Sequence, residues 1–173
     1  MSKLIFITGG ARSGKSRLAE ELAAHFGAPL GYLATGQAGD PEMSARIARH
    51  QARRGADWQT MEEPLQVLPV LQGHDGYFSA ILMDCLTLWL SNLLLHHNEP
   101  APALAAIREL IAALPGLKTP LIIVSNEIGM GIVPDNPLAR TFRDLAGEAN
   151  EMLAAVADEV YVTFSGLPLK LKG

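Results

Sequence analysis

"LIFITGGARSGKSRLAEEL", residues 4–22, decides the fold. Leu4 to Thr8 are apolar or β-branched without a break, the pattern of a strand buried on both faces. They run directly into Gly9, Gly10, Ala11, Arg12, Ser13, Gly14, Lys15 and Ser16, which match G-x-x-x-x-G-K-[ST]. Leu18, Leu22 and Phe26 then recur at i, i+4 and i+8, an amphipathic helix that Gly27 can close. Strand, glycine loop and helix are the context the motif needs. Glycines let backbone N–H groups converge on phosphate oxygens, and the helix N-terminus adds a favourable dipole. Lys15 reaches the outer phosphates and the Ser16 hydroxyl is placed to ligate Mg²⁺. The expected ligand is a nucleoside triphosphate.

The same alternation continues along the chain. Strand runs are read at 31–35, 79–85, 120–127 and 160–166, with a further edge strand at 167–172. Helical patterns are read at 42–54, 86–97 and 103–114. A long helix carries Leu138, Phe142, Leu145, Ala149 and Leu153 on one side. Asp135-Asn136-Pro137 before it supplies a cap and a first-turn proline. Strands that alternate with helices and are apolar on both faces imply a mostly parallel sheet flanked by helices, an α/β fold.

The 173 residues suggest one domain spanning 1–173. Hydrophobic residues make up 49% and charged residues 18%, so a full core is expected rather than disorder. A net charge of -4 with a pI of about 5.7 argues against nucleic acid as the main partner. The single cysteine, Cys85, cannot form an internal disulfide, and no signal peptide is read. The longest apolar run is interrupted by Asp84, Ser91 and Asn92, so no membrane span is expected. A cytoplasmic location is the default.

"ILMDC" ends in Asp84, and an aspartate closing an apolar strand suits Mg²⁺ held through its water shell. The alternative role for Asp84 is an N-cap of the following helix. Late in the chain "SNEIGMG" lacks the lysine and aspartate of a base-reading Asn-Lys-x-Asp element, which counts against a GTPase switch. Asn126 and Glu127 follow the most apolar strand and point to the same sheet edge as the glycine loop. Gly129 and Gly131 let that loop approach a ligand closely.

Together, "GGARSGKS", "ARIARHQARRGADWQTMEEP", "NEIGMGIVP" and the long block after it make the whole chain resemble the bifunctional adenosylcobinamide kinase / adenosylcobinamide-phosphate guanylyltransferase family. The resemblance implies a P-loop NTPase with a RecA-like sheet, typically a homotrimer. It also implies phosphorylation of the aminopropanol hydroxyl of adenosylcobinamide by ATP or GTP. GMP is then transferred from GTP to adenosylcobinamide phosphate through a guanylylated histidine. His50 stands where the family's motif places that nucleophile, and Lys15 serves both reactions. Nucleotide contacts carry over to residues 9–16, to Ala34, Thr35 and Gly36, to Gln51, Ala52, Arg53 and Arg54, to Glu62 and to Asp84. Glu62 would pair with the guanine N1–H and amino group, although a solvated glutamate beside Glu63 is the plainer alternative. Arg49, Arg53 and Arg54 would grip phosphate oxygens and favour neutral imidazole at His50. Asn126 and Glu127 are assigned to the corrinoid tail. Two other readings stay open: a plain P-loop small-molecule kinase in which His50 is structural, and a nucleotide-binding regulatory protein. Residue 50 lies roughly 13 Å along its helix, so a packed crossover helix would hold it away from the P-loop. That helix is therefore expected to dock loosely and to reorient when GTP binds.

Overall fold

The computed structural model of the chain describes residues 3–36 and 55–173. Strand β1 is Leu4–Gly9 and helix α1 is Lys15–Ala24. Next come β2 (Leu30–Ala34), β3 (Trp58–Glu62), α2 (Val67–Gly73), β4 (Ala80–Asp84) and α3 (Leu86–His97). Helix α4 (Pro100–Ala113), β5 (Leu121–Val124), α5 (Pro137–Val156), β6 (Glu159–Phe164) and β7 (Leu167–Lys172) complete the order. The helix expected at 42–54 lies outside the described residues, and so do His50, Gln51, Ala52, Arg53 and Arg54.

The seven strands form one sheet in the order β3-β2-β4-β5-β1-β6-β7. Every pair is parallel except β6 with β7. The unbroken apolar strands are buried on both faces. In β1, Leu4 and Phe6 join one core while Ile5 and Ile7 join the other. Strands β4 and β5 split the same way, Ile81, Met83, Leu121 and Ile123 against Ala80, Leu82, Ile122 and Val124. The first core is roofed by α3, α4 and α5, and the second by α1. A side chain as fully enclosed as Met83 or Ile123 contributes about 1.5–3 kcal/mol.

Three local readings need correction. Helix α1 seals its face with the small, fully buried Ala19 and Ala23, whereas Leu18, Leu22 and Phe26 flank the contact. Leu138 stands 52% exposed at the start of α5, so the buried stripe begins further on, at Leu145, Ala146 and Ala149. Asp84 is not the cap of α3: Cys85 is, its sulfur accepting from Leu88 N at 3.5 Å. Ending β4 at Asp84 leaves that carboxylate on the sheet edge. Two elements went unread, β3 and α2. Asn136 does cap α5, accepting from Leu138 N and Ala139 N, with Pro137 in the first turn.

Candidate functional site

In a parallel sheet, the chain leaves every strand on the same side. The carboxyl ends of β3, β2, β4, β5, β1 and β6 therefore bring Glu62, Ala34-Thr35-Gly36, Asp84, Asn126-Glu127, the glycine loop and Thr163 to one edge. All the site residues expected within the described segments lie along it.

The loop Gly10–Gly14 folds tightly. Ser13 N donates to Gly10 O at 3.3 Å, and the buried Lys15 donates its ammonium to the same carbonyl at 2.6 Å. Gly14, at φ +99°, is the N-cap of α1 and has no side chain to block the open amides of the first turn. Arg12 takes φ +56° at the exposed crest. Ser16, one residue into α1, donates to Asp84 Oδ2 at 3.0 Å. The bond crosses β5, because β4 and β1 are not neighbours. A hydroxyl and a carboxylate oxygen beside a phosphate cradle are hard donors of the kind Mg²⁺ selects. These two residues fit that ion.

Behind them the peptide bonds are held by buried polar groups. Thr35 is fully buried; its hydroxyl donates to Cys85 O at 2.7 Å and accepts from Cys85 N at 2.8 Å. That side chain therefore fixes the backbone next to Asp84. Ala34 and Gly36 are half-buried at the edge. The two adjacent glutamates separate cleanly. Glu63 accepts from Leu65 N and Gln66 N at 2.9 and 2.8 Å and shapes the entry to α2. Glu62 is exposed at the end of β3.

The loop after β5 is tied to the glycine loop: Glu127 N donates to Gly9 O at 2.9 Å. Beneath it sits a buried network that sequence reasoning missed. Ser125 donates to Asn150 Oδ1 at 2.6 Å, Thr87 Oγ1 lies 3.2 Å from Ser125 Oγ, and Asn126 N donates to Thr87 Oγ1 at 2.7 Å. These residues come from the loop after β5, from α3 and from α5, so nothing local in the sequence announces them. The Glu127 carboxylate accepts from Gly129 N at 3.2 Å, which closes the turn. Beyond it the chain exposes Met130, Ile132 and Val133, with Ile132 98% accessible. No helix among the described residues is long and apolar enough to cross a membrane.

A glycine loop between β1 and α1, faced across the sheet edge by an aspartate at the end of β4, defines a P-loop nucleotide-binding protein of the parallel α/β class. Residues 5–171 match the family described as cobinamide kinase / cobinamide phosphate guanyltransferase, and the chain belongs to it. The family is one of bifunctional transferases. The chain is 48% identical to the bifunctional adenosylcobalamin biosynthesis protein CobP of Pseudomonas aeruginosa, over 96% of both chains. It is 42% identical to the bifunctional adenosylcobalamin biosynthesis protein CobU of Salmonella typhimurium, over 98% of this chain and 99% of that one. The Escherichia coli protein of the same name is 39% identical over the same shares.

Proposed function

We propose that one P-loop site serves two successive reactions on a cobinamide substrate. First the aminopropanol hydroxyl of adenosylcobinamide attacks the γ-phosphorus of ATP or GTP. An O–P bond forms, the hydroxyl proton passes to solvent, the bridge to the β-phosphate breaks, and the nucleoside diphosphate leaves. In the second reaction a ring nitrogen of neutral His50 attacks the α-phosphorus of GTP. An N–P bond forms, pyrophosphate leaves, and the imidazolium keeps its other ring proton, so that neutral histidine is the leaving group in the next displacement. A phosphate oxygen of adenosylcobinamide phosphate then displaces the histidine, breaking N–P and forming the P–O–P link of adenosylcobinamide-GDP. Covalent catalysis thus splits one difficult displacement into two easier ones.

The observation that carries this reading is the Ser16–Asp84 hydrogen bond, which joins the motif to its carboxylate across β5. Mg²⁺ held by Ser16, and by Asp84 through water, would supply neutralising charge to the phosphates when bound. Lys15 neutralises the leaving phosphates in both reactions. Glu62, free of the capping role that occupies Glu63, selects guanine, and Gln51 to Arg54 hold phosphate oxygens. Asn126 and Glu127 face the corrinoid tail, and exposed Met130, Ile132 and Val133 offer the ring an apolar rest. A homotrimer in the cytoplasm is the expected working form, with a neighbouring copy completing the pocket.

Incubation with GTP labelled on the α-phosphate tests the mechanism. Acid-labile labelled GMP should remain on the denatured protein and be lost in His50→Ala. Transfer that proceeds without any such adduct would rule out the histidine intermediate.

A further inference from the structure

Strand β6 contributes nothing to the motif, yet its carboxyl end lies against the glycine loop. We propose that Thr163 and the Ser165–Gly166 turn are positioning residues: they orient the Ser13–Gly14 peptide and so set nucleotide affinity in both reactions. The inference rests on the P-loop being the nucleotide site.

Three sets of contacts carry it. Ser13 Oγ lies 2.6 Å from Thr163 Oγ1, and both residues are buried, at 7% and 1% exposure. Gly166 N donates to Ser13 O at 2.9 Å, and Gly166 O accepts from Arg17 Nη2 at 3.2 Å. The third set is steric. A Cβ on Gly9, at φ +148°, would lie 2.6 Å from both Thr163 O and Thr163 Oγ1. A Cβ on Gly14 would come within 3.1 Å of Gly166 Cα. The motif's two end glycines are thus demanded by the β6–β7 hairpin as well as by phosphate.

The consequence follows from peptide geometry. In a planar trans peptide the N–H points opposite to the C=O. Anchoring Ser13 O on the hairpin turns Gly14 N–H away from it, toward the concave side where phosphate oxygens are gathered. The hairpin itself is well made for the task. Ser165 and Gly166 take φ +51° and +84°, the left-handed pair of a tight two-residue turn, so the donor N–H of Gly166 is held rigidly.

Binding of a fluorescent, non-hydrolysable GTP analogue to the full chain tests this, with thermal midpoints recorded alongside. Thr163→Val keeps the side-chain volume and removes the bond to Ser13. It should weaken the analogue about tenfold and raise the nucleotide KM of both reactions by the same factor. Thr163→Ser should restore affinity to within about twofold. Ser13→Ala removes the same bond from the other side, so it should reproduce the loss, and the double variant should add little. Glu159→Gln, at the far end of β6, should lower the thermal midpoint and leave affinity alone. Wild-type affinity in both Thr163→Val and Ser13→Ala would overturn the proposal, as would a loss of affinity in Glu159→Gln proportional to its loss of stability. An analogue that failed to bind the wild-type chain would instead strike the nucleotide-site reading itself.

Discussion

Strands β1 and β6 lie side by side but are joined differently at their two ends. At the amino end the join is ionic: the Glu159 carboxylate pairs with Lys3, accepts from Tyr161 OH at 2.5 Å and pairs with Lys170 at 3.1 Å. The Lys3 bond is the largest of the influences holding its pKa at about 2. At the carboxyl end the described residues make the join without an ion pair: hydroxyls, backbone groups and glycines meet there (Ser13, Thr163, Gly9, Gly14 and Gly166), and the Arg17 guanidinium donates to a backbone carbonyl. Charge at the amino end stabilises the fold without shaping a ligand. Contacts at the other end place no carboxylate against the glycine loop and fix its shape. The lesson is a division of labour along a single pair of strands. Damage at one end should appear as stability, damage at the other as affinity.

The sharpest way to break that division is Lys15→Ala. Both transferase activities should fall by at least about 10³-fold, because charge on the phosphates goes unneutralised in each. Its thermal midpoint should stay close to wild type, since the ammonium's bond to Gly10 O lies within the glycine loop itself. His50→Ala should abolish guanylyl transfer to a similar degree while the kinase step survives, as read by assaying the two reactions separately. Gly9→Ala comes next. Its Cβ meets Thr163 backbone, so the loop must shift, and nucleotide affinity should drop about 10²-fold.

How far all this was legible in the sequence depends on locality. The glycine motif, its strand and its helix are contiguous, and β1, β4 and β5 carried their burial on both faces openly as unbroken apolar runs. Strand β3, "WQTME", is an edge strand whose exposed Gln59, Thr60 and Glu62 are spread over both faces, too short and mixed to stand out. Helix α2 hides behind Pro69, which reads as a breaker, yet Pro69 sits in the first turn, where its missing N–H costs nothing. The Asp84 question was settled only by register: β4 runs through Asp84, so Cys85 inherits the cap. The Ser13–Thr163 bond joins residues 150 apart, and no motif can show it.

The smallest expected effect lies at the amino end. A carboxyl with a native pKa of about 2 and an ordinary value of 4.5 stabilises the fold above pH 4.5. That contribution fades as pH falls from 4.5 through about 2. Glu159→Gln should therefore lower the thermal midpoint at pH 7 by about 2–6 °C. The difference from wild type should shrink on acidification through that window, with nucleotide KM unchanged throughout.

Counting nucleotides tests most directly whether one glycine loop serves both reactions. Calorimetric titration of wild-type protein with non-hydrolysable GTP and ATP analogues, singly and in competition, gives the number per chain. The account predicts one nucleotide per chain, with each analogue displacing the other and neither binding measurably to Lys15→Ala. Two nucleotides bound at once to one chain, or a second analogue that still binds after Lys15 is removed, would contradict it.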